Sequence, residues 1–303
     1  MLQKFRNLVQ ASLKPFGYRL RLVPADSVHP VDLRDEANDP RALLYHGKPR
    51  SVLIDAPVNT GYALDSFPLD PNGPHPFIRA VREGCDSEYP RQAIAEVLRE
   101  YYSVVQPESA AEWLGLSERD VPEFDEVPGW MRIFPWRNVS LSTRRKAIER
   151  VARRENKKHG VDAGADAGWR AFGPVSEEVL QVEVERLYRL MKSISENGLL
   201  RHNEPHGDIR AVALVNESGE WHWQTDWGGQ HRVAALTAMG YERLPVRIWR
   251  VVFRDHVSHW PKVSSGFYTE NAALDIFDRI FHRQIPPSVQ PWKDAVLSNP
   301  DYS

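Results

Sequence analysis

The chain has 303 residues, enough for one large domain or two smaller ones. With 42% hydrophobic and 26% charged residues and a formal net charge of -2, it has the composition of an ordinary globular protein. It has no global basic field to hold DNA, although a local basic patch is compatible with that balance. The single cysteine, Cys85, excludes an intrachain disulfide and a Cys-rich zinc site and fits a reducing cytoplasm. Neither a signal peptide nor an apolar run of membrane-spanning length is read.

Residues 1–14 are predicted as a short amphipathic helix through Leu2, Phe5, Val9 and Leu13, packed on the body or touching an anionic membrane surface weakly. Tyr18 to Val23 alternates as a strand. From Pro24 to Pro76 the chain reads as long Pro/Asp/Asn/Gly loops around one buried strand, Ser51 to Ile54, and histidines such as His75 read as exposed. Helices are expected over 93–105 and 108–116. Residues 120–138 read as irregular, with an aromatic run at Trp130, Phe134 and Trp136 suited to a polar or sugar-like acceptor.

Residues 142–158 form a strongly basic helix, read as a solvated face or as a contact for phosphate-rich partners. Residues 159–168 are rich in Gly, Ala and Asp and read as a linker. This divides the chain into an N-terminal region 1–158, a substrate-recognition cap or an independent domain, and a domain 169–303.

The second half is more legible. Ser176 is an N-cap ahead of Glu177 and Glu178, where the helix dipole favours acids. Leu180, Val184, Leu187, Met191 and Ile194 trace one helical face, which Asn197-Gly198 ends. Ile209 to Val215 and Trp221 to Thr225 read as a hairpin. Asp226-Trp227-Gly228-Gly229-Gln230 then opens a helix over 231–239, Leu244 to Val252 is a strand, and a last helix near 272–281 precedes a polar tail.

Two glycines where a strand meets a helix start have a physical meaning. Free N–H groups and the dipole favour an anion, glycine allows close approach, and His231 and Arg232 add donors. The other reading of the segment is a tight turn with Arg232 in a structural ion pair.

Gly228-Gly229-Gln230-His231-Arg232 with the following Val233-Ala234-Ala235-Leu236 resembles the phosphate loop of the ParB/sulfiredoxin superfamily, nearest in motif to ParB-like small-molecule kinases. The segment Ser193 to Gly198 resembles the stretch preceding the first hairpin in these families. The likeness covers roughly residues 170–252. It implies an α+β fold: a C-terminal ParB/sulfiredoxin-like domain joined to an irregular mixed α/β N-terminal region. It also implies a bound ATP, ADP or CTP, with Gly228, Gly229, Gln230, His231 and Arg232 at the nucleotide. Gln230 replaces the reactive cysteine of sulfiredoxins, so sulfinic acid repair by that route is not expected. The kinase box carries an aspartate where Gly228 stands. Asp226, two residues earlier, is the substitute candidate, as a catalytic acid and as a ligand for Mg2+. Glu177 and Glu183 are further candidates for activating an acceptor hydroxyl, beside their reading as capping or solvated helix acids.

The function expected is a nucleotide-dependent phosphotransferase acting on a hydroxyl of a small metabolite or saccharide in the cytoplasm. The alternatives are a non-catalytic nucleotide-binding regulatory module and a ParB-type DNA-associated protein. Specific duplex DNA binding is not expected, since no helix-turn-helix pattern follows the box.

Overall fold

The structure, a computed structural model, describes residues 29–46, 51–117, 120–124, 126–200 and 208–298. The helix predicted over 1–14 and the strand over 18–23 lie outside them. The described chain is mixed α/β around one mixed sheet. Its strands are β1 (Val31–Asp32), β2 (Val52–Pro57), β3 (Gly61–Ala63), β4 (Phe67–Pro68), β5 (Ile209–Val215), β6 (Trp221–Thr225) and β7 (Arg243–Phe253), in the order β1-β2-β7-β5-β6-β3-β4. β5 pairs antiparallel with β6 and parallel with β7. β2 runs antiparallel to β7, and β3 parallel to β6.

This topology corrects the division at 159–168. β2 and β3 come from the first half of the chain and pair with strands of the second, so both halves share one sheet. An apolar strand such as 52–57 has to satisfy its backbone groups along an edge, and β7 supplies that edge. The supposed linker is packed as well: Ala165 is buried in the main core and Asn156 Nδ2 donates to Ala163 O at 2.9 Å.

Strand alternation distributes β5 between two cores. Ile209, Ala211 and Ala213 face the larger one, Val212 and Leu214 the smaller. The larger core is closed by α1 (Pro76–Asp86), α2 (Pro90–Val104), α4 (Leu141–Lys157), α5 (Glu177–Asn197) and α6 (Gln230–Ala238). The smaller is closed by α3 (Ala110–Trp113) and α8 (Glu270–Phe281). A four-residue helix α7 (Pro261–Ser264) precedes α8, and α9 (Gln290–Ser298) occupies what reads in sequence as a polar tail. Its Trp292 is buried and donates to Pro74 O.

Helix α1 begins at the last residue of the stretch read as loop and runs through residues for which the sequence reading named no element. His75 caps it: Nδ1 accepts from the backbone N–H groups of Phe77 and Ile78, and Pro76 takes the first helical position. His75 is therefore buried, not exposed, packed against Phe67 and Phe77. Helix α5 follows the sequence closely. Its five periodic residues are all buried, Ser176 Oγ accepts from Val179 N, and Gly198 ends it at φ 66°.

Candidate functional site

One cavity of about 270 Å³ opens where both halves of the chain meet the sheet. Leu64 and Asp65 come from the turn between β3 and β4. Arg132, Phe134 and Arg137 come from the irregular stretch before α4, and Arg144 from α4 itself. Trp169 and Arg170 precede α5; Asp226, Trp227 and Gln230 form the β6–α6 junction; Trp249 and Arg250 belong to β7.

Local backbone devices aim these side chains. Consecutive strand residues normally face opposite sides of a sheet. Ala211 pairs with Ile248 but Val212 pairs with Arg250, so Trp249 is bulged out of register, and both Trp249 and Arg250 reach the cavity. Leu64, Asp65 and Trp227 line it with left-handed backbones, at φ 47°, 69° and 57°. Such strain in non-glycine residues gathers at functional sites. Gln230 ties the parts together: its Oε1 accepts from Leu64 N at 2.9 Å and Thr225 Oγ1 at 2.8 Å.

Five arginines against two aspartates give the cavity a surplus of three positive charges. Arg132 pairs with Asp65, Arg137 with Asp226 Oδ1, and Arg250 Nη1 donates to Trp136 O. Burial works against the charged forms. It lowers the pKa of Arg132, with repulsion from Arg144 and Arg170 adding to it and Asp226 opposing it. Arg144 is brought down to about 9 by burial and by Arg137, while burial also lowers Arg170 and Arg250.

Among the described residues, five buried polar atoms that belong to this cavity have no hydrogen-bond partner: Arg132 Nε, Arg144 Nε, Trp169 Nε1, Trp249 Nε1 and Asp226 Oδ2. Unpaired buried polar atoms are uncommon in folded proteins, and five of them belong to residues that line this one cavity. Arg132 and Trp169 are 7% and 6% exposed, so solvent does little to satisfy them. The pattern of four donors and one carboxylate oxygen suits an anion that also carries a hydroxyl.

The residues singled out in sequence separate into three groups. Asp226 and Gln230 line the cavity; Gln230 acts through the hydrogen bonds above. His231 does not line it. Its Nε2 bonds Glu183 and its ring stacks on Phe77 at 4.8 Å, locking α6 to α5 and α1. Glu183 is buried and also pairs with Arg186. Burial alone would raise its pKa, but His231, Arg186 and Arg170 outweigh that and hold it below the usual carboxylate range. Arg170 connects this network to the cavity, lining, with Trp169, both it and the small gap beside Glu183. Glu183 is thus held between His231 and Arg186 and does not line the cavity. Glu177 is exposed on the first turn of α5, bound by Arg99 and Gln181, and has no cavity to act in.

The two glycines also divide. Gly229 is required: it starts α6 at φ 88°, and a Cβ there would come within 2.9 Å of Ile209 Cα. A Cβ on Gly228 would meet nothing within 4 Å. Arg232 is half-buried beside Asp208, and burial lowers its pKa. None of the three lines the cavity. The aromatic run expected to receive an acceptor is mostly core. Trp136 stacks on Phe134 and meets Trp260 and Phe277, and Trp130 is buried, so only Phe134 reaches the cavity.

Comparison with protein-family models, with curated proteins and with solved structures finds no match for this chain.

The cavity arginines did carry a signal in the sequence. Trp136-Arg137, Trp169-Arg170 and Trp249-Arg250 are the chain's three Trp-Arg dipeptides, and all three arginines reach the cavity. In α4, Arg144 alone of the eight basic residues at 144–158 turns inward, over the Trp227 ring at 4.6 Å; the other seven are exposed. No helix among the described residues is long and apolar enough to cross a membrane.

Proposed function

We propose that the arginine cavity binds the phosphate groups of a nucleotide such as ATP, ADP or CTP, and that the protein is a cytoplasmic phosphotransferase acting on a hydroxyl of a small metabolite or saccharide. The observation that carries this reading is the set of unpartnered donors around one unpartnered carboxylate oxygen in a cationic cavity. Arg132, Arg137, Arg144, Arg170 and Arg250 would hold the phosphates. Arginine suits that task because its planar fork bonds phosphate oxygens in pairs and keeps its charge when partly desolvated. The bound nucleotide supplies the phosphoryl group. Phosphoryl transfer needs positioning and electrostatic clamping more than covalent chemistry from the protein.

Asp226 is the residue we assign to the acceptor. Arg137 fixes its Oδ1 and leaves Oδ2 to take the proton of a hydroxyl. The residues do not fit a magnesium ion at this aspartate. Both cavity aspartates are engaged by arginine, and a dication would be repelled by the rest of the cluster. The arginines already provide the countercharge.

We keep the ParB/sulfiredoxin likeness of residues 170–252 as a proposal. It is supported by the strand, glycine and helix start at Thr225 to Gln230, with Gly229 left-handed against Ile209. The phosphate contacts, on this proposal, lie on the arginine side of that junction and not on His231 and Arg232.

Calorimetric titration with ATP, ADP and CTP, followed by product analysis with a panel of sugars and small alcohols, tests the reading. Binding that Asp226→Asn preserves, with turnover lost, is the expected result. Binding without consumption across the panel identifies a regulatory module instead. No binding at millimolar nucleotide rejects the assignment.

A further inference from the structure

We infer that this cavity recognises a phosphate chain of at least two phosphates and is indifferent to the base attached to it; the inference rests on the phosphate-binding reading above. Four aromatic side chains line the cavity: Phe134, Trp169, Trp227 and Trp249. An aromatic face in a nucleotide site ordinarily stacks a base. Here every one of the four carries a guanidinium group. Arg132 lies over Phe134 at 5.9 Å, Arg170 over Trp169 at 4.8 Å and Arg144 over Trp227 at 4.6 Å. Trp249 carries Arg137 at 4.6 Å and Arg250 at 5.0 Å. The correspondence is complete, since each of the five cavity arginines rests on an aromatic ring of the cavity itself.

The rings therefore serve as platforms that hold cations in place. Guanidinium over an aromatic face is attractive, and more so where both are desolvated. Five arginines brought this close repel one another, and stacking, with two aspartates and the carbonyls of Trp130 and Trp136, keeps them in position.

Size and charge define the ligand. The cavity of about 270 Å³ falls below the range of about 300–1,000 Å³ that encloses a drug-sized ligand. With the phosphate chain seated on the arginines, little room is left inside for a base, which then projects toward the mouth. A phosphate monoester brings about 1.5–2 negative charges, which leaves part of the threefold positive surplus unmatched. A diphosphate chain matches it. Nucleoside diphosphates and inorganic pyrophosphate share that chemistry.

Competition titration against one labelled nucleoside diphosphate tests the inference, using the full chain with ADP, GDP, CDP, UDP, pyrophosphate and orthophosphate. The four nucleotides should agree within about threefold, pyrophosphate should compete within about tenfold of them, and orthophosphate should be weaker by more than tenfold, one charged hydrogen bond or more being lost. Preference for one base by more than about thirtyfold, or failure of pyrophosphate to compete, overturns the inference and leaves the phosphate-ester reading standing. Absence of binding by every diphosphate at millimolar concentration overturns both. Trp249→Leu adds an independent readout of its positioning role. It should weaken ADP and pyrophosphate by the same factor, because the ring acts through Arg137 and Arg250. Loss for ADP alone means that the ring stacks a base, and the inference fails. Trp227→Leu, in the half-buried junction loop, gives the same comparison through Arg144 if the first variant does not fold.

Discussion

At Arg144 folding and binding are opposed. Its pKa falls from the ordinary guanidinium range to about 9, because burial and Arg137 both disfavour the charge. That fall corresponds to roughly 4–5 kcal/mol of unfavourable free energy in the charged form at neutral pH. Truncation also removes the stacking on Trp227, worth roughly 0.5–2 kcal/mol, and solvent at the cavity mouth screens part of the repulsion. Arg144→Met keeps the aliphatic stem and removes the charge. We expect it to raise unfolding free energy by about 1–3 kcal/mol in urea at pH 7 and low salt. The same variant should weaken pyrophosphate binding by about tenfold or more, as a charged hydrogen bond is lost. The sign with pH follows from the depressed folded value. Above about pH 9 the folded protein releases a proton that the unfolded chain, with its ordinary guanidinium, still retains, so the wild type gains stability as pH rises beyond that point. The advantage of the variant should therefore shrink between pH 9 and 10. An Arg144→Met protein that is less stable and binds anions unchanged would refute the picture of a strained, ligand-seeking cluster.

His75 should make the fold acid-sensitive. Burial lowers its pKa to about 3, so below about pH 6.5 the unfolded chain takes up a proton that the folded one refuses. Stability should fall by roughly 1.4 kcal/mol per pH unit from this group alone, and His75→Asn, which retains a cap acceptor, should flatten that slope in acid unfolding curves. Glu183→Gln should cost about 3–5 kcal/mol by leaving buried Arg186 under-paired; an unchanged melting temperature with lost turnover would return Glu183 to catalysis. Cys85→Ser should leave anion binding and any activity unchanged, because burial raises the thiol pKa and no repair chemistry is assigned to it; loss of a thiol-dependent repair activity in the variant would contradict this. Duplex DNA should bind weakly at most, through the exposed basic face of α4, and that binding should vanish as salt rises; a sequence-dependent nanomolar shift near physiological salt would restore the DNA-associated reading.

The local elements of the second half were legible because they are written in short-range pattern. The five apolar residues of α5 repeat at helical spacing between a serine cap and a glycine stop. The β5–β6 hairpin has an apolar strand and a return strand about a polar turn, and the Gly229 helix start has a steric reason that the structure bears out at Ile209. Helix α1 was missed because its cap is a histidine and its proline looks like a breaker, although both suit a helix start. The short strands β3 and β4 have too few residues to show an alternation.

Strand partnership is a non-local choice. Residues 52–57 and 61–63 carry nothing that names β7 and β6 as their neighbours, so the single sheet, and with it the absence of a boundary at 159–168, emerges only on folding. The cavity has the same origin. Its five arginines are spread from 132 to 250, and of them the sequence reading touched only Arg144, within the basic helix 142–158. The bulge at Trp249, the left-handed turn at Leu64 and Asp65, and the inward face of α4 are what bring them together. The sequence by itself determined which residues bear charge and which segments coil or extend, since both depend on near neighbours along the chain. The tertiary structure alone decided which charges lose their water, because burial depends on segments more than a hundred residues apart meeting at one place.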